Sequence, residues 1–462
     1  MPVGIEHAKQ EEKMKKLLVV LLSLGLIVAF SATASAADVK FGGSYYVVGV
    51  YQDNPSLAET NGYSHAYFYQ RVRLQPVFQI AEGLTFTVRA DALEKQWGNT
   101  NWKGGTDDTT SSRRNQVLVA PAAGQKIQES FEFERAYVTF LTGIGMFQVG
   151  YQNVDDWGTD FGDFSNSRPR IAFATKVGPV TLAATYEKVY ETDTAGSTTA
   201  LYTNYVDADK DTYALSATYN AKGMEAGLLY KYYAFNNTRP ATFKTQMNLI
   251  SPYVKATFGP VYVEGEAQYW FGKTAAFEAP STTADVDLSA WGAYLKAKMN
   301  AGPAYFGALF AYVSGDDGSD ATKNKANPGG GGPNFAPALI LMNDALNTWG
   351  NGGSTAASPA GVTSSKYNVI AYNAFAGFNP TPKLNVEAAL TYADVDKIAV
   401  GVNQDKNLGM EFDVTATYKL YDNLSYMVGA GYLWTGDYFK GVGGATPVDN
   451  DYMLMNKLTL SF

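Results

Sequence analysis

The chain from residue 37 onward is a series of short segments in which apolar and polar residues alternate. In Asp451–Phe462, Tyr452, Leu454, Leu458, Leu460 and Phe462 share one face, while Met453, Met455, Lys457, Thr459 and Ser461 share the other. A period of two with one greasy face marks a strand between an oily and a wetter surrounding. The pattern predicts eighteen strands, at about 39–51, 64–81, 84–95, 128–142, 144–153, 167–177, 179–190, 210–221, 224–235, 246–258, 261–272, 285–299, 303–314, 365–379, 383–395, 409–420, 424–435 and 451–462. Sixteen remain open if a bent strand has been divided.

The connections alternate between short and long. Glu82-Gly83, Gly143, Gly178-Pro179, Lys222-Gly223, Gly259-Pro260 and Ala301-Gly302 are tight turn-formers, as are Asn379–Pro382 and Tyr421–Asn423. Between them lie long connections rich in Gly, Asp, Asn, Ser and Thr. Short turns at one rim and long loops at the other are the asymmetry of a transmembrane β-barrel. The faces agree. Arg71, Arg73, Arg89, Asp91, Glu264, Glu266, Glu411 and Asp413 alternate with Val72, Leu74, Val88, Val263, Phe412 and Val414. A charged face cannot fill a dry core, because unpaired buried charge is costly. The expected fold is therefore all-β: an antiparallel up-and-down barrel with lipid outside, a wet interior, short periplasmic turns and long external loops. An even strand count returns the last strand, ending on Phe462, to the rim where the first began, and closure leaves no sheet edge to cap.

The amino terminus adds a compartment. Met14-Lys15-Lys16, the apolar run Leu17–Phe30 and Ala34-Ser35-Ala36 have the form of a secretory signal, 14–36, cut after Ala36. The run is too short to span a bilayer, which takes about 20 residues. Residues 1–13 are polar and precede this complete signal, and Gln10-Glu11-Glu12 can be encoded by a ribosome-binding sequence. Met14 is the expected start, with 1–13 a mis-assigned extension. Residues 37–462 then form one barrel domain.

Composition narrows the chemistry. There is no cysteine, which excludes disulfides, thiolate metal sites and cysteine nucleophiles. The net charge of −8 and the lack of a long basic run argue against nucleic acid. After residue 36 the one histidine is His65, an expected loop or rim residue, so a catalytic triad or a histidine metal pair has no basis. No phosphate-binding loop, dinucleotide fingerprint or haem-attachment motif occurs. No enzyme activity and no cofactor are expected. Asp316, Asp317 and Asp320 are weak Ca2+ candidates, as clustered oxygens suit hard cations.

The leader, the hairpin series, Arg-Ala-Tyr-Val-Thr-Phe at 135–140, Gly-Met-Phe-Gln-Val-Gly at 145–150 and the terminal phenylalanine resemble Gram-negative outer-membrane porins. The resemblance is greatest to porins of sulfate- or metal-reducing deltaproteobacteria and more distant to phosphate-selective porins. It implies a homotrimer of water-filled barrels in contact with outer-membrane lipid and lipopolysaccharide, passing small hydrophilic solutes by passive diffusion. The segment 154–166 is similar to the inward-folded third loop of general porins, and Gly158 and Gly162 would let it bend. On that likeness its Asp155, Asp156, Asp160 and Asp163 would face a basic wall of Arg71, Arg73, Arg89, Arg135, Arg168 and Arg170, with Lys176 on the same faces. Opposed charges set a transverse field that filters by polarity and size.

Alternatives stay open at the level of sequence. Arg71 and Arg73 can instead pair with Asp91 or Glu134 as ladders within the wall, and 155–163 can be an ordinary solvated loop. Inward Tyr67, Tyr69, Tyr137, Tyr262 and Trp270 would suit a sugar channel, and the basic wall an anion channel. A sheath for an electron-transfer partner or an adhesion scaffold are non-transport readings. The connection 315–364 carries an apolar stretch, Asn334–Trp349, expected to form a short helix after Pro337. It would serve as a plug, a latch onto a neighbour, or a cap burying Leu339, Leu341, Leu346 and Trp349 on its own barrel.

Overall fold

The computed structural model describes residues 38–60, 62–97, 131–191, 209–238, 243–278, 281–343, 345–346 and 366–462. The expected leader and Trp349 lie outside the described residues. Alternation of apolar and polar residues gives antiparallel strands in sequence order: β1 (Asp38–Gln52), β2 (His65–Ala81), β3 (Leu84–Gln96), β4 (Phe131–Thr142), β5 (Gly145–Val154), β6 (Asn166–Val177), β7 (Val180–Tyr190), β8 (Lys210–Ala221) and β9 (Met224–Phe235). They continue with β10 (Phe243–Phe258), β11 (Val261–Phe277), β12 (Val286–Ala301), β13 (Ala304–Val313), β15 (Val369–Thr381), β16 (Leu384–Val395), β17 (Asn407–Tyr421), β18 (Leu424–Thr435) and β19 (Asp451–Ser461). The remaining strand, β14 (Lys323–Asn324), is a two-residue piece of the long connection lying parallel to β12.

Each barrel strand pairs with its sequence neighbour, and β1 pairs with β19 from Ser44↔Ser461 to Gln52↔Met453, which closes the ring. Setting β14 aside, the barrel has eighteen strands, which resolves the sixteen-strand alternative. A barrel of this size leaves a central bore. Gly83, Gly178, Gly223, Gly259 and Gly302 take φ between 57° and 76° at the tight turns, a backbone region that costs other residues a Cβ clash.

The barrel is inside-out relative to a soluble protein. Leu215 is 61% exposed on the outer face, whereas inward-facing Thr212 and Glu187 are buried. Tyr418, Tyr432 and Trp434 stand on the outer surface near strand ends, where aromatic girdles meet the membrane interface. No described helix is long and apolar enough to cross a membrane; the strands do the crossing.

The interior differs from the expected wet bore on one side. Inward-facing Val48, Val313, Val369, Leu433 and Met453 form an apolar cluster with Ile340, Leu341, Met342 and Leu346 of the long connection between β13 and β15. That connection returns into its own barrel, and its apolar residues need an apolar wall. It runs through bends at 338–342 and is helical only at Ala345 and Leu346 among the described residues of the expected helix.

Candidate functional site

Two connections meet inside the barrel. The first leaves β5 after Val154 and reaches the opposite wall. The Trp157 indole donates to the Ser251 carbonyl on β10 at 3.0 Å. The backbone N–H and hydroxyl of Thr159 donate to Glu266 on β11. Phe161 is fully buried and stacks on Tyr294 of β12. Gly158 and Gly162 are required at the approach: a Cβ on either would collide with the Glu266 carboxylate.

The second connection clasps the first. Gly332 donates its N–H to the Phe161 carbonyl at 2.8 Å, Asn334 donates to Asp163 at 2.6 Å, and the Phe335 ring stands edge-on to Phe161. Buried Lys366 donates to the carbonyls of Gly332 and Pro333. The first connection packs against β10–β12, and the second against inward apolar residues of β1, β13 and β15–β19. A cavity of about 480 Å³ remains between the first connection and the wall of β5–β11, touched by Arg168, Arg170, Lys231, Glu187, Trp157 and Trp270.

The basic residues read from sequence divide into two groups. On β2 and β3, Arg73 grips Asp91 with two hydrogen bonds of 2.7 and 2.6 Å, Arg71 donates to Glu94 at 3.2 Å, and Arg89 lies 3.5 Å from Asp91. Two carboxylates thus offset two of the three guanidinium charges within the wall. On β4 and β6 the partners are mostly amides. Arg135 donates to Asn153 at 2.8 Å and Arg170 to Gln152 at 3.2 Å, whereas Arg168 pairs with Asp155 at 2.8 Å. Arg135 and Arg170 have no carboxylate in ion-pair contact among the described residues.

The four aspartates do not form one acidic edge. Asp155 sits at the root of its connection, on the basic side, bound by Arg168 and by Lys231 of β9 at 2.6 Å. Burial alone would raise its pKa, but these two cations hold it down at about 2. Asp156 accepts from Asn153, and Asp163 accepts from Ser165 and Asn334. Asp160 is exposed; partial burial and the nearby Glu264 charge raise its pKa.

Lys231 and Glu187 were not singled out in the sequence. Buried Lys231 joins Asp155 to Glu187, and Thr212 donates to the same Glu187 oxygen. Their signal was modest: each is a charge on the polar phase of an alternating strand. Asp316, Asp317 and Asp320 turn to nearby backbone N–H groups, and no group of three potential metal ligands converges among the described residues. His65 opens β2 at the rim and packs its ring on Tyr67.

The barrel is similar to the crystal structure of OccAB2 from Acinetobacter baumannii, at 12% identity and a TM-score of 0.53, over 92% of this chain and 98% of that one. OccK2 (OpdF) of Pseudomonas aeruginosa aligns over 92% and 98% of the two chains, with 12% identity and a TM-score of 0.49. An anion-selective porin from Comamonas acidovorans aligns over 92% and 100%, with 12% identity and a TM-score of 0.43. At 12% identity the likeness to OccAB2 bears on the fold alone. No curated protein matches the sequence. The profile of Gram-negative porins matches residues 23–331, about two thirds of the length, and takes in both the β2–β6 wall and the connection that crosses to Glu266. With a closed barrel whose greasy face is outermost, that match settles the class: the chain belongs to the Gram-negative porin family of the outer membrane.

Proposed function

We propose that this porin passes small hydrophilic solutes by passive diffusion through the space between the 155–165 connection and the β4–β9 wall, with a preference for anions. The observation that carries the reading is the pair Arg135 and Arg170, which meet amides and no carboxylate in ion-pair contact among the described residues. A guanidinium keeps its charge at any physiological pH, and although Asp156 lies within Coulombic reach of both, neither is held in an ion pair among the described residues, so both are free to meet an anion in a narrow, low-dielectric passage. The Arg168–Asp155–Lys231–Glu187 chain beside them is balanced in formal charge and adds a field across the passage rather than a net sign. Homotrimeric assembly and kinship with deltaproteobacterial and phosphate-selective porins, both implied by the sequence resemblance, belong to the same proposal. The sheath reading needs an open bore, and Thr159 and Leu341 both reach across this one.

The test is single-channel recording in a planar bilayer under a salt gradient. Stepwise currents with a reversal potential on the anion side are expected. A reversal potential at zero or on the cation side overturns the anion preference, and the absence of steps overturns the channel.

A further inference from the structure

On β17, Glu411 and Asp413 stand two residues apart on the inward face, where i and i+2 share a side. Both are buried, at 0% and 4% exposure. Three successive backbone N–H groups of the long connection end on them. Ile340 and Leu341 each donate to one oxygen of Glu411 at 2.7 Å, and Leu339 donates to Asp413 Oδ2 at 3.3 Å. Around these bonds the segment is held by apolar packing.

The pair has no basic partner in ion-pair contact among the described residues. Across the sheet, β16 presents Ala389 and Thr391, and β18 presents Gly431 and Leu433; none of them carries charge. The next acid along β16, Glu387, is engaged by the Tyr305 hydroxyl. The two carboxyl groups converge over Gly431, where a Cβ would lie 2.6 Å from Asp413 Oδ1 and 3.3 Å from Glu411 Oε1. Asp413 Oδ1 is fully buried and takes no hydrogen bond among the described residues. Two anions side by side in a dry site repel strongly, and one shared proton both removes that repulsion and supplies the donor that Oδ1 lacks.

We propose that Glu411 and Asp413 are a proton-held latch that fastens the 334–343 segment inside the barrel, and that losing the shared proton releases the segment and widens the channel. The proposal rests on the porin reading above. Released, both carboxylates meet water and ionise at ordinary acidity. The released state therefore binds fewer protons than the latched one, and rising pH favours release.

Two measurements test this. The first is single-channel conductance from about pH 5 to about pH 9, a range that brackets carboxyl pairs with a shared proton. Wild type should gain about twofold as the segment leaves its half of the bore. D413N cannot ionise, and its NH2 can take the place of the unbonded Oδ1 and donate to Glu411 while its oxygen still accepts from Leu339, so it should stay at the low level throughout. The second uses the absence of native cysteine. A thiol reagent is applied to I340C, at a buried position, and the rate is divided by that of V400C, at an exposed one. The ratio should climb with pH in the wild-type background and stay flat with D413N. A flat wild-type conductance with a flat ratio overturns the latch, as does an unchanged pH response in D413N. Failure to see any channel overturns the porin reading instead, and the labelling ratio on folded protein still decides the latch.

Discussion

Thr159 donates twice to one oxygen of Glu266, from its backbone N–H at 2.8 Å and its hydroxyl at 2.9 Å. The hydroxyl of Ser251 reaches the other oxygen at 3.2 Å. One buried carboxylate thereby fixes the far end of a connection whose root is fixed by Arg168 on β6 and Lys231 on β9. Glu266→Ala leaves buried donors without an acceptor, at about 1–3 kcal/mol each. The connection should then fluctuate, and single-channel records should show excess open-channel noise and extra conductance levels. A trace as quiet as wild type would mean that the aromatic contacts of Phe161 suffice to hold the connection.

Much of this architecture was legible before any coordinates. Eighteen strands, their tight turns and the inward or outward phase of each residue follow from the two-residue period, because lipid and water impose opposite demands on adjacent side chains. Gly158 and Gly162 were readable as a bend. Their partner was not: Glu266 lies more than a hundred residues away and looks like any other inward charge. Arg73 and Asp91 illustrate a second limit. Both the pore and the wall-ladder readings were compatible with the sequence, and only the bidentate contact separates a neutralised arginine from an available one. The apolar stretch around Leu341 announced burial without saying against what, since its wall is drawn from β1 and β13–β19.

Arg135 and Arg170 should control ion preference more than Arg71 and Arg73. Replacing both of the former by Gln removes two positive charges with no carboxylate left stranded. The anion-to-cation permeability ratio should fall several-fold, read from reversal potentials in a salt gradient. Replacing Arg71 and Arg73 by Gln instead strands Glu94 and leaves Asp91 only its 3.5 Å contact with Arg89, so its main cost should be barrel stability. Equal shifts in selectivity from the two double variants would count against this division.

Asp155 gives the first connection an acid limit. Its carboxyl is held at about 2, below its ordinary value of 3.8, by Lys231 and Arg168 acting against burial. A depressed folded-state pKa contributes stability that is complete above about pH 4 and is lost as pH falls through about 2. The shift corresponds to roughly 2 kcal/mol. Thermal unfolding of the detergent-solubilised barrel should therefore lose stability between about pH 4 and pH 2, and Asp155→Asn should remove that part of the pH dependence while lowering stability at neutral pH. An unaltered acid slope in the variant would assign the loss to other carboxylates.

The outward phase predicts a charge penalty set by depth. Leu215 is 61% exposed near the middle of β8, on the face assigned to lipid. Leu215→Arg should cost about 2–4 kcal/mol when the barrel folds into bilayers, as midplane arginines do in transmembrane barrels. Its inward neighbour Ser216 touches the cavity, and Ser216→Arg should fold nearly normally while changing conductance. Chemical denaturation in vesicles separates the two, and a cheap Leu215→Arg would contradict the lipid assignment of this face.

Phe161 joins the two inward connections, and its removal should be felt by both. The ring is fully buried, stacked on Tyr294 at 5.6 Å and 9° and edge-on to Phe335 at 5.5 Å, while its carbonyl accepts from Gly332. Truncation to alanine removes the packing of one ring from two partners and leaves a cavity, a loss of about 3–5 kcal/mol in well-packed sites. The first connection keeps its tie to Glu266, and the second keeps its bonds to Glu411. Phe161→Ala should therefore leave each connection tethered at its far contact and joined to the other only through the Gly332 to Phe161 backbone bond and the Asn334 to Asp163 bond. A double-mutant cycle of Glu266→Ala and Glu411→Ala in that background, read by conductance and unfolding free energy, should then show weaker coupling between Glu266 and Glu411 than in the parent barrel. Undiminished coupling would show that the wall, not the Phe161 clasp, transmits strain between the two connections.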